Sequence, residues 1–388
     1  MTSDVTRRRL LQLGAVGGVA GIAGWSRYNH AGSSLDSWLS ESGESILSGA
    51  AFDSSADPLD VRGVIYIPSR AFNFYQMWEY YDPIVVERDL SYATRVNLNA
   101  VRTWLSYESW EKDPEAYEVA LDHFLEAAED RDLSVLLCLF DAVGVGPTPE
   151  RLENTDPKTA TGLSSPARHI LVSPEKWDGP RAFVHWFMDN YRDDDRLLAI
   201  EVMNEPGWNE DKKAFAQSMF ETLVERRGDI PLTVGSTSLA NNAEYGDWGN
   251  EILQFHYNFV SDQQTFQAML DRVRIAQVAL DAPIWLTEWQ RVRQGRGFTA
   301  EPKPEEKGPN YASLAPLIHN AGVGNFFWSL MVKPAWVQPQ RKNGVISGLF
   351  HEDGSVWSLT DAEAIMAMSG DVSLDFQERQ EYPEWMVT

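Results

Sequence analysis

The sequence lacks the features on which several classes of protein depend. It has a single cysteine, Cys138, in 388 residues, so no internal disulfide can stabilise the chain. No apolar run of about 18 residues recurs along it, which excludes a protein that crosses a membrane several times. Basic residues are few: 33 Lys and Arg face 57 Asp and Glu. The net charge of −24 repels phosphates, so we expect no nucleic-acid partner.

What the sequence does contain indicates a large folded core. Hydrophobic residues make up 43% of the chain and aromatic residues 12%, and 15 residues are tryptophan, so a disordered chain is excluded. The length exceeds that of one ordinary domain but suits an α/β barrel, which typically has about 250 residues or more.

The acidic excess has a pattern of its own, because lysine supplies only 9 of the 33 cationic residues. High negative charge keeps a protein soluble and monomeric but makes the chain repel itself. Salt relieves that repulsion, since the Debye length falls to about 3 Å at 1 M. We therefore expect a monomer adapted to high salt, of the haloarchaeal kind. An ordinary acidic secreted protein is the alternative.

The first 24 residues have the layout of an export signal. Thr-Arg-Arg-Arg-Leu-Leu at positions 6–11 precedes an apolar Gly/Ala-rich stretch, and this arrangement resembles a twin-arginine signal. The many glycines argue against the alternative, a basic amphipathic helix. Residues 25–57, rich in Ser, Gly and Asp, are expected to form a linker. We expect an extracellular protein with no membrane span after signal cleavage, or one held at the cell surface if the signal is retained.

Short apolar segments alternate with helical patterns between residues 58 and 370, which predicts parallel strands joined by helices. Apolar residues at spacings of three and four predict helices over 115–130, 211–227 and 265–280. Eight alternations predict a single-domain (β/α)8 TIM barrel, followed by an acidic tail at 371–388. The predicted strands cover residues 62–67, 98–104, 134–140, 197–203, 231–235, 252–256, 283–287 and 323–329.

Two connections in this pattern are long. The segments 143–178 and 295–309 follow the third and seventh predicted strands and are rich in Pro and Gly. Long loops in a compact domain are usually functional, and these two would lie at the catalytic face of a barrel.

The strongest chemical signal is a pair of glutamates at strand ends. Glu205 lies in an Asn-Glu-Pro triplet that ends the fourth predicted strand, and Glu288 ends the seventh. Such positions line the mouth of a barrel, and these two strand ends face each other across it. Two carboxyl groups about 5–5.5 Å apart are what retaining glycoside hydrolysis requires. For each glutamate alone, the alternative is a solvated loop residue or a helix-start carboxylate.

These residues make the chain resemble glycoside hydrolase family 5, the cellulase and β-mannanase group of retaining (β/α)8 glycosidases, over about residues 60–368. The resemblance implies that Glu205 is the acid/base and Glu288 the nucleophile. It implies that Asn204 bonds the sugar 2-hydroxyl and that Arg102, in Asn-Ala-Val-Arg, holds the nucleophile ionised. Trp328, in Phe-Trp-Ser, would form the floor under the cleaved sugar.

Two strand ends depart from the pattern of that family. The family has His-x-Tyr on the sixth strand, whereas this chain has His256-Tyr257-Asn258. We expect His256 beside the nucleophile, and either Tyr257 or Asn258 as a donor to the nucleophile. The third strand ends in Asp141 where many members have histidine. Asp141 is expected to bind a sugar hydroxyl, with a turn aspartate as the alternative.

Several tryptophans follow predicted strands, as the wall of a glycan cleft requires. Trp208 and Trp289 are favoured as sugar platforms because each lies within a few residues of a predicted catalytic glutamate; half-buried packing is the alternative. Lys333 is expected to lie in solvent rather than to bind a sugar. The histidines show no metal-ligand spacing, and no Gly-rich phosphate loop follows a strand, so we expect neither metal nor cofactor.

Taken together, the patterns and the resemblance predict a secreted enzyme that cleaves a β-1,4-linked glucan or mannan by double displacement. Whether cleavage is internal or terminal is open at this stage. The alternatives are a transglycosylase with the same two glutamates, a β-galactosidase or β-glucosidase of the same clan, and a catalytically silent carbohydrate-binding barrel.

The acidic surface generates a first prediction. Lowering the salt concentration from molar to tens of millimolar is expected to lower the melting temperature, because the repulsion within a chain of charge −24 is then no longer screened. Thermal unfolding followed by circular dichroism over a salt series measures this. An unchanged melting temperature would contradict adaptation to high salt.

Overall fold

The computed structural model describes residues 60–258, 260–290, 309–336, 341, 346–373 and 375–387. The expected signal at 1–24 and linker at 25–57 lie outside the described residues. Most of the segment 295–309 after the seventh strand lies outside them as well.

Eight parallel strands form the centre of the protein, in the order β5-β4-β3-β2-β1-β8-β7-β6. The two end strands of that order also meet: Thr233 forms a parallel bridge with Ile252, and the N–H of Glu251 donates to the carbonyl of Leu232 at 2.9 Å. The sheet therefore closes into a barrel, and the predicted (β/α)8 TIM barrel is confirmed. The strands are β1 (Arg62–Ile65), β2 (Ala100–Trp104), β3 (Ser134–Asp141), β4 (Leu197–Asn204), β5 (Leu232–Gly235), β6 (Leu253–His256), β7 (Ile284–Gln290) and β8 (Asn325–Trp328).

Burial explains why these segments form strands. In β3, seven of the eight residues are buried, as expected for a parallel strand that is covered on both faces. An apolar run of that length has no solvent face to expose, so it is stable only inside a sheet that helices cover.

The helices cover the outside of the barrel, and three of them match the predicted helical patterns. Aspartate or asparagine side chains cap these three: Asp113, Asn209 and Asp262 each accept a hydrogen bond from a backbone N–H of the first turn. The helices are α1 (Phe74–Glu79), α2 (Pro83–Thr94), α3 (Tyr107–Lys112), α4 (Pro114–Glu129), α5 (Pro149–Leu152), α6 (Arg168–Leu171), α7 (Asp178–Tyr191), α8 (Glu210–Glu225), α9 (Gln263–Leu280), α10 (Tyr311–Ala321), α11 (Leu359–Ala367) and α12 (Glu384–Val387). Short 3-10 helices cover Pro174–Lys176 and Leu239–Glu244, and the strands β9 (Lys333–Pro334) and β10 (Ile346–Ser347) pair after β8.

The register of β4 against β5 shifts between Glu201 and Asn204. Side chains two apart share a face in a regular strand, whereas these two residues are three apart. The shift lets both side chains face the barrel interior, which prepares the site described below.

The segment expected to form an acidic tail contacts the body of the protein. Glu378 pairs with Val356, and the N–H of Arg379 donates to the carbonyl of Val356 at 2.9 Å. The ring of Trp385 lies edge-on to Phe72, with the ring centroids 6.3 Å apart. Residues 375–387 therefore contribute to packing beside the loop that follows β1.

Within the described residues, no helix combines the length and the apolar character needed to cross a bilayer.

Candidate active site

Arg102 lies at the centre of the candidate site, fully buried at the mouth of the barrel. Its guanidinium donates two hydrogen bonds to the carboxylate of Glu201, at 2.9 and 2.7 Å. It also donates to Glu288 and to Asn204, each at 3.0 Å. One face lies 4.1 Å from the centroid of the Trp104 ring. A single buried cation thus joins side chains of β2, β4 and β7.

Glu201 is the partner that the sequence analysis missed. It is fully buried, with Gln254 donating to Oε2 at 3.2 Å and the thiol of Cys138 lying 3.2 Å from Oε1. Gly235 on β5 makes the room for it, because a Cβ there would lie 2.2 Å from Oε1 of Glu201. The available signal was a lone charge in an otherwise apolar strand, since a buried carboxylate needs a partner.

The electrostatics keep this pair charged. Burial alone would lower the pKa of Arg102, but the carboxylates of Glu201 and Glu288 raise it. Burial alone would raise the pKa of Glu201, and the guanidinium of Arg102 lowers it instead. The barrel therefore contains a permanent ion pair directly beneath Glu288.

Glu205 follows β4 with a φ of 48°, in the left-handed region that residues other than glycine rarely adopt. Such strained positions cluster at active sites. The N–H of Glu205 donates to the carbonyl of Gly235 at 2.8 Å, which holds the backbone in place. Its Oε1 lies 2.6 Å from Nδ1 of His256, and its side chain is 19% exposed, so a substrate can reach it.

Glu288 faces Glu205 across the mouth. Nδ2 of Asn258 donates to Oε2 of Glu288 at 2.8 Å, while Arg102 holds Oε1. His256 lies between the two glutamates, since its Nδ1 is also 3.6 Å from Oε2 of Glu288. One side-chain atom from each of Glu205, His256 and Glu288 lies within 4.8 Å of the other two. The structure thus brings both predicted carboxylates and the predicted histidine together.

Asn258, rather than Tyr257, is the donor to the nucleophile candidate. Side chains alternate along an extended chain, so His256 and Asn258 face the mouth while Tyr257 points the other way. The ring of Tyr257 stacks on Phe266 of α9, with the centroids 5.6 Å apart. The structure therefore corrects the expectation that Tyr257 binds the substrate.

Asp141 contacts the amide of Asn204. Its Oδ1 accepts from Nδ2 of Asn204 at 3.0 Å and from the N–H of Val143 at 2.9 Å. Burial raises the pKa of Asp141 to about 8, against the opposite effect of these two hydrogen bonds, and the charges of Glu205 and Glu288 add to the rise. The structure therefore shows Asp141 in a positioning contact; its expected contact with a sugar hydroxyl stays a prediction.

Three indoles line the side of the mouth near β8. Trp328 is 8% exposed and stands edge-on to Trp104 and Trp336, with centroids 6.0 and 5.6 Å away. The hydroxyl of Tyr311 donates to the carbonyl of Trp328, and the peptide bond from Trp328 to Ser329 is cis. Trp328 thus lies where the resemblance expects a sugar-binding floor.

Trp289 does not lie in the cleft. It follows Glu288 directly, so its side chain leaves the opposite face of β7. Its ring is fully buried against Tyr311 of α10 and Phe327 of β8, at centroid distances of 5.5 and 5.9 Å. The expectation that Trp289 binds a sugar is therefore wrong, and packing is its role.

Trp208 was expected to be a platform for a sugar. Trp208, in the loop after β4, is 52% exposed, as a platform for a sugar must be.

Lys333 was expected in solvent but is buried, and its Nζ donates to the carbonyls of Pro68, at 3.1 Å, and Ala71. Burial lowers the pKa of Lys333 well below its usual range. Lys333 therefore joins the loops after β1 and β8 rather than facing the cleft.

A metal ion has one candidate position in the described part of the chain, between Glu205, His256 and Glu288. Two carboxylates and an imidazole suit a divalent transition metal. The same space is where a glycosidic bond would have to lie between the two glutamates, so a cation there would compete with a glycan.

The fold is similar to that of solved glycan-active barrels. An exo-β-1,4-mannosidase from Opitutaceae bacterium strain TAV5 matches with a TM-score of 0.55 at 16% identity, over 79% of this chain and 58% of that chain. The endo-β-1,4-mannanase from Thermotoga petrophila matches with 0.53 at 13%, over 79% and 76%. GH5_18 from Bifidobacterium longum matches with 0.56 at 11%, over 82% and 80%.

This chain spans less than two thirds of the length of the mannosidase. No protein-family model matches the sequence, and no curated protein matches it. At these sequence identities, the likeness to the solved structures shows the barrel fold.

The buried ion pair generates a stability prediction. Replacing Glu201→Gln keeps the shape of the side chain but leaves Arg102 without its main counter-charge, so we expect the free energy of unfolding to fall by about 3–5 kcal/mol. Denaturant unfolding measures the loss. Glu352→Gln is the matched control, because Glu352 accepts the same two-pronged contact from Arg70 at 2.9 Å, but at the surface. That variant is expected to lose about 1 kcal/mol or less. Equal losses would contradict the central role of the buried pair.

The raised pKa of Asp141 generates a pH prediction. Between the unfolded pKa of 3.8 and the folded value of about 8, the folded protein holds a proton that the unfolded chain releases, so Asp141 makes stability fall as pH rises. In Asp141→Asn this contribution is absent. Melting temperatures are measured for both proteins from pH 4 to 9. The melting temperature of the variant minus that of wild type is expected to rise with pH and to level off above pH 8. A difference in melting temperature that does not change with pH would exclude a protonated Asp141 in the folded protein.

Proposed function

We propose that this chain is a retaining glycoside hydrolase of the (β/α)8 type that cleaves β-1,4-linked glycans. The observation that carries the proposal is the spacing of Glu205 and Glu288: one carboxylate oxygen of each lies within 4.8 Å of the other across the mouth. Retaining enzymes place their carboxyl groups about 5–5.5 Å apart, whereas inverting enzymes need about 6.5–9.5 Å to admit a water molecule. The spacing therefore favours direct attack by one carboxylate.

In the first step, an oxygen of Glu288 attacks the anomeric carbon while Glu205 donates its proton to the glycosidic oxygen. The bond from the anomeric carbon to that oxygen breaks, the leaving sugar departs as an alcohol, and a covalent glycosyl-enzyme remains on Glu288. Arg102 and Asn258 each hold one oxygen of Glu288, which fixes the direction of attack.

In the second step, the now ionised Glu205 takes a proton from water, and the resulting hydroxide attacks the same carbon. The ester bond to Glu288 breaks, the sugar leaves with its original configuration, and both glutamates return to their starting states. His256, 2.6 Å from Glu205, steadies that carboxyl group through both proton transfers.

The contacts around Asn204 suit a donor to the sugar 2-hydroxyl. Arg102 occupies its Oδ1 and Asp141 takes one hydrogen from its Nδ2, so the amide is held from both sides. A fixed amide costs no reorganisation when the 2-hydroxyl contact strengthens in the oxocarbenium-like transition state.

For the substrate, we place β-mannosides first and β-glucans second. The similar structures include an exo-β-1,4-mannosidase, endo-β-1,4-mannanases and a GH5_18 variant in complex with Manβ1-4GlcNAc. We further propose export from the twin-arginine-like motif at 6–11 and action outside the cell in high salt, on the sequence pattern alone.

The test uses the two glutamates separately on an aryl β-mannoside and an aryl β-glucoside in molar salt. Glu205→Ala is expected to lower kcat by about 10²–10⁴-fold on unactivated glycans, and less on aryl glycosides, whose leaving groups need no proton. Added azide then replaces the missing carboxylate. It should give a β-glycosyl azide with Glu205→Ala and an α-glycosyl azide with Glu288→Ala, which nuclear magnetic resonance distinguishes.

Glu210→Gln is the control, because Glu210 lies on α8 with its side chain 86% exposed. Wild-type activity in both glutamate variants would contradict the proposal, and exchanged azide products would reverse the two roles. Longer glycans in place of free reducing ends would identify a transglycosylase. Binding without turnover in wild type would identify a silent carbohydrate-binding barrel.

A further inference from the structure

The segment after β3 borders the barrel mouth along several strand ends, and this bears on how the proposed hydrolase admits its substrate. Its base is clamped at the end of β3, where Asp141 and Ser165 exchange backbone hydrogen bonds of 2.7 and 2.9 Å. Its two arms pair through Val145, whose N–H donates to the carbonyl of Gly162 at 3.1 Å. The segment is therefore an ordered part of the barrel rim.

The tip of this segment is tied to α1, beyond β2. Nε2 of Gln76 donates to the carbonyls of Leu152 and Asn154 at 2.7 and 2.9 Å. Gln76 is only 3% exposed, so the contact is shielded from water. Because α1 follows β1, the segment reaches from the end of β3 past β2 to the β1 side of the mouth.

A second tie reaches the segment after β8. The N–H of Gly162 donates to the carbonyl of Trp336 at 3.3 Å. Arg341 donates to the carbonyl of Pro157 at 3.2 Å, to that of Ala160, and to that of Trp336 at 3.1 Å. We call residues 143–165 together with Trp336 and Arg341 the wall.

The wall reaches the floor of the cleft. Trp336 lies 5.6 Å from Trp328 and 5.2 Å from Phe74, measured between ring centroids. Gly162 packs directly beneath Trp336, since a Cβ there would lie 1.9 Å from its indole nitrogen. Gly162 thus fixes the position of the Trp336 indole beside Trp328.

The direction of the cleft follows from the chemistry. Glu205 must touch the glycosidic oxygen, so the leaving sugar lies on the β4 side of the mouth. The sugar that becomes attached to Glu288 lies on the opposite side, toward β8 and Trp328. In the closed strand order β8 lies four strands from β4. The wall runs from its base at the end of β3, past α1 after β1, to the segment after β8, so its tip and its second tie stand on the β1 and β8 side.

We propose that the wall ends the cleft behind this sugar, so that the enzyme removes single sugars from the non-reducing end of its glycan. This inference rests on the proposed hydrolase function.

The experiment follows products from a β-1,4-manno-oligosaccharide and a β-1,4-gluco-oligosaccharide, each labelled at the reducing end. Wild type should release monosaccharide and shorten the labelled chain by one sugar at a time. A second pair of substrates carries a bulky 4,6-O-acetal on the non-reducing terminal sugar, and these are expected to be cleaved at least about tenfold more slowly. Early labelled products of several lengths would overturn the proposal, as would equal cleavage of blocked and free glycans.

Two variants test whether the wall is the cause. Arg341→Ala removes the side-chain ties between the segment after β3 and that after β8 but leaves the backbone hydrogen bond from Gly162 to Trp336. Gly162→Ala displaces Trp336 without removing the side-chain ties. Both variants are expected to reduce the ratio of the cleavage rate of free glycans to that of blocked glycans. Arg226→Ala is the control, because Arg226 lies in an exposed ion pair with Asp189 away from the mouth and should keep the wild-type pattern. A full preference for free ends in both folded wall variants would exclude the wall as its cause.

A binding experiment distinguishes failure of this inference from failure of the proposed function. Glu288→Gln cannot form the covalent intermediate, so tryptophan fluorescence can measure its affinity for free and blocked oligosaccharides without turnover. At least about tenfold weaker binding of the blocked glycans supports the wall, and equal binding contradicts it. If wild type hydrolyses none of the glycans, the proposed function is contradicted. The binding comparison would still show whether the wall closes the cleft to blocked glycans.

Discussion

The charge on Arg102 is the constraint on which the site depends. A guanidinium with no exposed surface must be matched by negative charge, because an uncompensated ion in a barrel interior is strongly destabilising. Glu201 supplies that match through two hydrogen bonds, and this leaves one edge of the guanidinium for Glu288. The same ion pair therefore ties β2 to β4 and sets the position of the attacking carboxylate on β7. The contacts of Arg102 that stabilise the barrel are thus the same contacts that position Glu288.

From that pair, contacts extend across the mouth in both directions. Toward β3 they run through Asn204 to Asp141, a carboxyl group that burial keeps protonated near neutral pH. Toward β6 they run through Glu288 to Asn258. A chain of fixed donors and acceptors holds each side chain before a substrate arrives, as electrostatic preorganisation requires. Glu205 differs, because it is the more exposed of the two carboxyl groups and His256 is its partner on the mouth side.

The sequence predicted the strands well, because an apolar run buried on both faces has few alternatives to a parallel sheet. It also predicted Glu205 and Glu288, since strand ends determine which residues reach the mouth. It failed at Trp289, where closeness along the chain was taken for closeness in space although neighbouring side chains leave opposite faces of a strand. The resemblance left the choice between Tyr257 and Asn258 open, and the same alternation of side chains places Asn258 at the mouth. Glu201 was missed because its partner comes from a distant strand, and a register shift lets it share that partner with a residue three positions away. The wall depends on backbone carbonyls, which no residue pattern reveals.

The position of Cys138 has a practical consequence for studying motion. The thiol is completely buried beside Glu201, and burial raises its pKa well above the usual range, so the reactive thiolate is scarce and shielded from reagents. The natural chain therefore behaves toward maleimides almost as a cysteine-free protein. A single cysteine placed at an exposed position of the wall, such as Val145, would carry a spin label or a fluorophore without further engineering of the background. Spectroscopy could then follow the rim of the barrel directly as a glycan enters.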